Sequence, residues 1–221
     1  LNDLPHFAGG LVGFLGYESI AWVEEIPIHK QDELQLPDAL FMLFHDMIAF
    51  DHLKNEVILF SNVQIENDLD LDQAYHEANL RIDQMGEDLH TDIDYQAPVR
   101  QDKSQLQSNY TQKDFEKAVN KAQQYIKAGD VFQLVLSQRF QRQTSVDPLI
   151  LYRALRSINP SPYMFHLKLG DFDIIGASPE LLVKVEDNEI EIRPIAGTRE
   201  RGSDADADRK LAEELIADEK E

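Results

Sequence analysis

The stretch YMFHLKLGDFDIIGASPELLVKVEDNEIEIRPI, residues 163–195, alternates short apolar runs with turn-forming residues. Four of its segments have the length and composition of β-strands, at residues 163–168, 172–177, 181–186 and 189–195. Asp187 and Asn188 separate the last two segments, which is typical of a tight hairpin turn. Strands joined by such short connections pair antiparallel, so this stretch predicts an antiparallel sheet.

Segments of helical periodicity precede these strands. Thr111 can cap a helix over residues 112–128, and Gly129 is suited to end that helix in a left-handed conformation. An Asp-Pro pair opens a second helix over residues 148–158. Between the two helices, residues 131–141 alternate polar and apolar side chains, which predicts another strand.

The first hundred residues predict further strands and one helix. Residues 7–26 mix four glycines with Leu, Val and Phe, which fits strands with close backbone approach better than a helix. Apolar runs at residues 39–50 and 56–63 flank a turn-like segment and predict a hairpin. Residues 69–89 carry apolar side chains at steps of three and four, the pattern of an amphipathic helix.

Polar residues 91–108, which include Pro98, form the clearest candidate linker. We therefore expect an N-terminal part, residues 1–100, and a second part, residues 108–221. A helix with an acidic first turn begins at Asp204 and shows no stop signal. Helices that alternate with hairpin-linked strands indicate an α+β protein with antiparallel sheets. Since the chain starts without methionine, we expect it to be a piece of a longer protein.

The composition excludes several classes of function. The chain has 221 residues and a formal net charge of −20, and such a field repels nucleic acid and anionic lipid. It has no cysteine, which excludes disulfides and thiolate metal sites and favours a cytoplasmic location. No apolar run approaches the roughly 18 residues that a membrane helix needs. No two histidines have the spacing of a metal site on one helix.

Polar residues near two strands are candidates for ligand binding. Gln133 would lie on the polar face of the strand at 131–141, and this face can line a site or simply meet solvent. Two prolines flank Ser161 and would hold Tyr163 and Met164 at the start of the following strand. This rigid turn could receive a planar ligand, or it could serve only as a connection.

Two further segments carry charged groups. Glu180 follows a proline at the start of an apolar segment, where a carboxylate can act as a general acid or lie exposed at an edge. Residues 193–202 bring Gly197, Thr198 and three arginines together in an otherwise acidic chain. The backbone N–H groups, the Thr198 hydroxyl and an arginine could receive a carboxylate. The alternative is a surface turn whose arginines pair with the aspartates that follow.

In order and spacing, these segments resemble the chorismate-utilising enzymes, and among them the anthranilate synthase large subunits. The similarity covers most of the chain and rests on five stretches, residues 7–17, 129–140, 159–165, 176–183 and 193–202. The resemblance implies a fold of two packed antiparallel sheets surrounded by helices. The extreme N-terminal and the C-terminal segments of the family are not matched, so we expect the fold to be truncated.

The resemblance implies a lyase that converts chorismate and ammonia to anthranilate and pyruvate, the first step of tryptophan biosynthesis. A glutamine amidotransferase subunit would supply the ammonia, Mg²⁺ would be the cofactor, and tryptophan would inhibit by feedback. The metal-binding glutamates, the catalytic histidine and a substrate arginine of the family are expected beyond Glu221. We therefore expect no metal ligand in this chain and no activity from the chain alone.

The same resemblance implies roles for individual residues. Glu180 would be the general acid that assists departure of the ring hydroxyl. The substrate would be contacted by Gln133, Gly197 and Thr198. The tryptophan site would be lined by Pro162, Tyr163 and Met164.

Two positions separate the relatives from one another. Relatives that add water to chorismate carry a lysine base in place of Gln133, because water needs a base and ammonia does not. Aminodeoxychorismate synthases typically carry a nucleophilic lysine in place of Ala196. Gln133 therefore argues against the relatives that add water. Ala196 and the segment with Tyr163 and Met164, which looks like the tryptophan pocket of anthranilate synthases, favour anthranilate synthase over an aminodeoxychorismate synthase, the closest alternative. An inactive module that binds tryptophan or a partner is the third hypothesis.

Overall fold

The computed structural model describes residues 4–27, 32–93, 104–193 and 198–218. The chain divides into two compact units, Leu1–Gln96 and Ala97–Glu221, and their boundary falls within the polar segment 91–108. Both units combine helices with antiparallel strand pairs, which confirms the predicted α+β class. In the described ranges each sheet has two strands, so the larger sheets implied by the resemblance are represented by separate strand pairs.

The first unit contains two strand pairs, a short 3₁₀ helix and one α-helix in its described part. In chain order these are β1 (Gly10–Leu15), a 3₁₀ helix (Tyr17–Trp22), β2 (Ala39–Phe44), β3 (Asp46–Asp51), β4 (Glu56–Ser61) and α1 (Leu71–Leu89). β1 pairs antiparallel with β2, and β3 pairs antiparallel with β4. The predicted hairpin is confirmed for β3 and β4, and the predicted amphipathic helix is confirmed as α1.

The apolar run at 39–50, predicted as a single strand, is broken at His45 into β2 and β3. The break coincides with a change of partner, because β2 pairs with β1 and β3 pairs with β4. Asn62 lies beside the break, and its backbone N–H and its side-chain amide donate to the His45 carbonyl at 2.9 and 3.1 Å. The same amide donates to the Ala8 carbonyl at 2.5 Å and occupies the space that a side chain on Gly9 would need. Residues distant in sequence therefore decide where one strand ends and the next begins.

The strand prediction for residues 7–26 is wrong for the second half of that segment. β1 ends at Leu15, and the chain then enters the 3₁₀ helix. Ser19 stabilises this change of direction, because its N–H and its hydroxyl donate to the Gly16 carbonyl at 3.1 and 2.6 Å. Such a local hydrogen bond offers the backbone an alternative to a strand ladder.

A polar cluster attaches helix α1 to the hairpin of β3 and β4. Arg81 donates from Nε to Asp46 Oδ1 and to Ser61 Oγ, each at 3.1 Å. The Ser61 hydroxyl donates to the same Asp46 oxygen at 2.5 Å. The hydrogen bond from Ser61, followed by the contact with Arg81, holds the pKa of Asp46 below its ordinary value.

The second unit contains three strand pairs and three α-helices in its described part. In chain order these are β5 (Gln107–Ser108), α2 (Gln112–Ala128), β6 (Phe140–Gln141), α3 (Pro148–Ile158), β7 (Tyr163–Lys168), β8 (Asp173–Ser178), β9 (Lys184–Glu186), β10 (Glu189–Glu191) and α4 (Ala205–Ile216). β5 pairs with β6, β7 with β8 and β9 with β10, all antiparallel. Helix α3 packs against both β7 and β8.

Helices α2 and α3 begin and end where the sequence predicts, because local capping groups fix their ends. Thr111 Oγ1 accepts a backbone N–H of the first turn of α2 at 3.2 Å, and Gly129 follows α2 with a φ of 83°. Asp147 Oδ1 accepts the Leu149 N–H at 2.8 Å at the start of α3. The helix predicted from Asp204 is also confirmed, as α4.

The strand predicted over residues 131–141 is wrong for most of its length, because only β6 joins a ladder. Alternating polarity supplies two faces but no hydrogen-bonding partner, and β5 pairs only with the end of this segment. The strands predicted at 181–186 and 189–195 are shorter than expected, as β9 and β10. Residues 194–195 lie outside the described ranges.

Hydrophobic burial is limited in the part of the chain that the structure describes. The buried apolar residues there are Ala74, Ala78, Ala122 and Leu169. By contrast, Leu53, Phe132 and Leu182 are exposed by 93%, 103% and 87%. Most apolar side chains of the described elements are therefore only partly shielded from water, and the ladders and helix caps satisfy their backbone groups.

We expect Ser61→Ala to weaken the acid dependence of stability. Because the pKa of Asp46 is lowered in the folded chain, its carboxylate stabilises the fold above its ordinary pKa, and this contribution is lost as pH falls through the lowered value. Without the Ser61 hydroxyl, the pKa of Asp46 should return toward its ordinary value. The free energies of unfolding at about pH 6 and about pH 3 should then differ less than in the wild type, as measured by urea denaturation.

Ser19→Ala is the matched control, since the Ser19 hydroxyl donates to a carbonyl and not to a carboxylate. Its pH dependence should equal that of the wild type. An equal change in both variants would contradict the assignment of the effect to Asp46.

Candidate functional site

The residues predicted to act on a ligand lie on three segments of the second unit. These are the irregular segment 131–139, the hairpin of β7 and β8 with the turn that follows it, and the segment 198–202 before α4. Ala196 and Gly197 lie outside the described residues.

The register of β7 and β8 brings the predicted tryptophan-site residues and the predicted general acid to one end of a hairpin. Tyr163 faces Ser178 across the ladder, and Met164 faces Ala177. Glu180 lies two residues beyond Ser178, so its turn adjoins the ladder end at which β7 begins. Two segments that are separate in the sequence are therefore neighbours in the structure.

A serine turn holds the backbone of Glu180. Ser178 Oγ accepts the Glu180 N–H at 3.3 Å and donates to the Glu180 carbonyl at 3.2 Å. The Glu180 side chain is exposed. A carboxyl group on a restrained backbone and open to solvent can transfer a proton to a bound molecule.

A glycine–aromatic contact shapes the face of the hairpin that carries Tyr163. Phe165 lies opposite Gly176, and its ring occupies the space into which a Cβ on Gly176 would project. Glycine in a strand interior often marks such a close approach. The aromatic ring covers the glycine across the strand pair, so the two residues act as one packing unit.

The opposite face carries a His–Asp pair that packs against α3. His166 Nε2 and Asp173 Oδ1 are 2.7 Å apart, and their side chains are 19% and 22% exposed. The Tyr152 ring of α3 stacks on the imidazole with ring centroids 6.0 Å apart. Sequence reasoning misses this cluster, because the pair shares a face only through the hairpin register that aligns His166 with Ile175.

The predicted tryptophan contacts lie on two sides of β7. Met164 shares the face of His166, toward α3, whereas Tyr163 shares the face of Phe165. Pro162 is exposed and immediately precedes the strand. A single ligand could therefore touch all three predicted residues only around the start of β7.

Gln133 is exposed on the part of segment 131–139 that joins no described ladder. The segment is anchored near its end, where Gln138 Nε2 donates to Ser108 Oγ at 2.9 Å. The Arg139 N–H donates to the Asn109 side chain at 2.8 Å. These hydrogen bonds thus hold the end of the segment, and Gln133 lies several residues before them.

Carboxylates hold the arginine-rich segment, as the second of the two sequence interpretations predicts. Arg199 Nη2 donates to Asp218 Oδ2 at 2.7 Å. Arg201 makes two hydrogen bonds to Asp208, from Nε at 2.8 Å and from Nη2 at 2.6 Å. Such a two-bond pair fixes orientation as well as distance.

Arg193 is paired in the same way, with Glu191 at 2.6 Å, so each of these three arginines has a carboxylate partner. The hydrogen bond from Arg201, and then a backbone N–H, lowers the pKa of Asp208. Paired guanidinium groups are less available to an anionic ligand. Thr198 is exposed, so its hydroxyl is a further donor open to a carboxylate.

Among the described residues, no group of three or more His, Asp or Glu side chains is arranged to hold a metal ion. The helices in the same ranges are too short or too polar to cross a bilayer.

The sequence model of a family described as chorismate binding enzyme matches residues 2–221. Anthranilate synthase component 1 from Cereibacter sphaeroides is 41% identical over 225 residues, which cover 99% of this chain and 44% of that protein. The protein of the same name from Acetivibrio thermocellus is 41% identical over 228 residues, covering 100% of this chain and 46% of that protein. The chain spans about half the length of the curated relatives it matches.

A solved structure is similar over the same extent. The crystal structure of anthranilate synthase component I from Streptococcus pneumoniae matches with a TM-score of 0.80 at 32% sequence identity. The match covers 99% of this chain and 47% of that chain. It therefore includes all three segments that carry the candidate residues.

Gly176→Ala should lower the free energy of unfolding by about 1–2 kcal/mol, because the new methyl group must displace the Phe165 ring. In a Phe165→Ala background the same substitution should cost much less, since the ring is absent. Urea denaturation of the four proteins in this double-mutant cycle measures the coupling.

Gly86→Ala is the control, because its Cβ would meet only Leu59 Cδ1, at 3.7 Å. On a helix this change should be neutral or should stabilise by up to about 1 kcal/mol. A cost of Gly176→Ala that is the same with and without Phe165 would show that the ring is not its cause.

Proposed function

Because this chain belongs to the chorismate-binding enzyme family, we propose that it acts as the large subunit of an anthranilate synthase. The observation that carries this proposal is the match of nearly the whole chain, at about 40% identity, to proteins named anthranilate synthase component 1. The proposed reaction converts chorismate and ammonia to anthranilate and pyruvate, the first step of tryptophan biosynthesis. A glutamine amidotransferase subunit would supply the ammonia, and the proposed location is the cytoplasm.

Glu180 is the proposed general acid. Ammonia forms a C–N bond to the ring, and the ring hydroxyl leaves as water after taking a proton from the Glu180 carboxyl group. The enolpyruvyl group then leaves, gains a proton to become pyruvate, and loss of a ring proton makes the ring aromatic. The exposed side chain and the Ser178 turn support this role, because the carboxyl group is open to a ligand while its backbone is held in place.

Gln133, Gly197 and Thr198 are the proposed substrate contacts. Since Arg199 and Arg201 are paired with aspartates, we assign recognition of a substrate carboxylate to the Thr198 hydroxyl and to backbone N–H groups. Mg²⁺ is the proposed cofactor, and by the family resemblance its ligands would lie beyond Glu221.

Tryptophan is the proposed feedback inhibitor, with Pro162, Tyr163 and Met164 as its contacts. The ladder register supports a short structural connection between the proposed tryptophan contacts and the proposed general acid. Tyr163 pairs with Ser178, and Ser178 holds the backbone of Glu180. A ligand that displaced the start of β7 would displace the Glu180 turn through this pair. We further propose that residues 1–100 form the N-terminal part of the family fold and residues 108–221 the start of its chorismate-binding part.

The direct test uses the protein expressed from its complete coding sequence, with chorismate, Mg²⁺ and ammonium. We expect anthranilate fluorescence and an equal amount of pyruvate, measured by a coupled reduction. An aminated product without fluorescence or pyruvate would identify an aminodeoxychorismate synthase instead. Binding of tryptophan without any turnover of chorismate would favour the inactive module.

Glu180→Gln should lower kcat by about 10²–10⁴-fold, because the amide cannot supply the proton. KM for chorismate should change little, since the side chain keeps its size. Glu189→Gln is the matched control, an exposed carboxylate on β10 that should leave kcat unchanged. Equal kcat values for wild type and the Glu180 variant would refute the assignment of the acid.

A further inference from the structure

Two arginines tie the segment 198–202 to opposite ends of helix α4. Arg201 binds Asp208 in the first turn of α4, and Arg199 binds Asp218 just beyond the last turn. Asp208 and Asp218 are ten positions apart, which corresponds to about 15 Å along a helix. Arg199 and Arg201 are two positions apart, and an extended chain of that length spans at most about 7 Å. The two guanidinium groups therefore reach in opposite directions, and the segment runs antiparallel to the helix.

The backbone of this segment also touches the helix directly at Gly202. Its N–H donates to Asp208 Oδ1 at 2.8 Å. A Cβ on Gly202 would collide with the backbone of Ala207 and Asp208, so the close approach requires glycine. The carboxylate of Asp204 caps the same end of α4, which keeps the first turn regular where the segment rests on it.

The other end of the segment is linked to the helix through Thr198. Arg199 Nη1 donates to the Thr198 carbonyl at 3.3 Å, while Nη2 of the same side chain donates to Asp218. One guanidinium group therefore connects the backbone of a proposed substrate contact to the end of α4.

We propose that Asp208 and Asp218 are positioning residues, which hold Thr198 in place for the substrate through their arginine partners. This inference rests on the proposed function of the segment. The arginines orient the segment and do not themselves bind the substrate. Arg201 is 88% exposed, so its pair adds little to stability, and its effect is on geometry.

Steady-state kinetics of the protein from its complete coding sequence test this role. Asp208→Asn should raise KM for chorismate about tenfold, since a small displacement of a substrate contact weakens productive binding. The melting temperature and kcat should change little. Arg201→Gln should have a similar effect, and the double variant should be no worse than either, because both changes remove one pair. Asp208→Glu keeps the charge and should restore most of the affinity.

If Arg201 bound the substrate directly, the change in KM for chorismate would have the opposite sign. If Arg201 bound the substrate, Asp208→Asn would release its guanidinium group and lower KM for chorismate. A lower KM would therefore overturn the proposal, and so would an unchanged KM.

Asp206→Asn is the matched control in the same helical turn. Asp206 is 87% exposed and lies 3.7 Å from Arg209, so its loss should leave KM unchanged. The wild type in the same assay separates the two proposals. Absence of anthranilate from the wild type refutes the proposed function and with it the positioning role. A wild-type signal with an unchanged KM in the Asp208 variant refutes the positioning role alone.

Discussion

The register of β7 and β8 is the constraint on which the placement of Glu180 beside Tyr163 and Met164 depends. The pairing of Tyr163 with Ser178 places the start of β7 beside the Glu180 turn. The pairing of Phe165 with Gly176 lets an aromatic ring lie across the strand pair. Since side chains alternate between faces, a slip of one residue would exchange the face toward α3 for the opposite one. The glycine–aromatic contact and the His–Asp pair on the other face both favour this single register.

Carboxylates have structural roles throughout this acidic chain. Asp70, Asp147 and Asp204 cap helices, and Asp208 and Asp218 pair with arginines beside the proposed substrate segment. Hydrogen bonds and cationic partners stabilise the charged form of such groups. Some of the carboxylates behind the net charge of −20 are thus held in helix caps and ion pairs. The arginines near Thr198 are held in the same ion pairs. Recognition of an anionic substrate would then depend on neutral donors and geometry more than on net charge.

How much of the fold could be predicted depended on how far apart in the sequence the interacting residues lie. Helices α2 and α3 were predictable to the residue, because a cap and its N–H partner lie within three positions of each other. The strand expected at 131–141 was not, because alternating polarity says nothing about which strand supplies the hydrogen bonds. For the candidate site, sequence indicated Glu180 and Thr198 as residues of interest. It offered two interpretations of the arginines and no means to choose between them.

The sequence by itself determined the α+β class, the helix ends, the hairpin turns and the membership of the chorismate-binding family, since these follow from local patterns and from motif order. Only the tertiary structure decided that the run 39–50 breaks at His45, where the pairing partner changes from β1 to β4. Asn62 donates there to His45, across 17 positions, and to Ala8, across 54 positions. It also decided that Glu180 lies at the same end of a hairpin as Tyr163. The physical reason is that hydrogen-bond partners and ladder register depend on which distant segments meet, and local composition does not encode that choice.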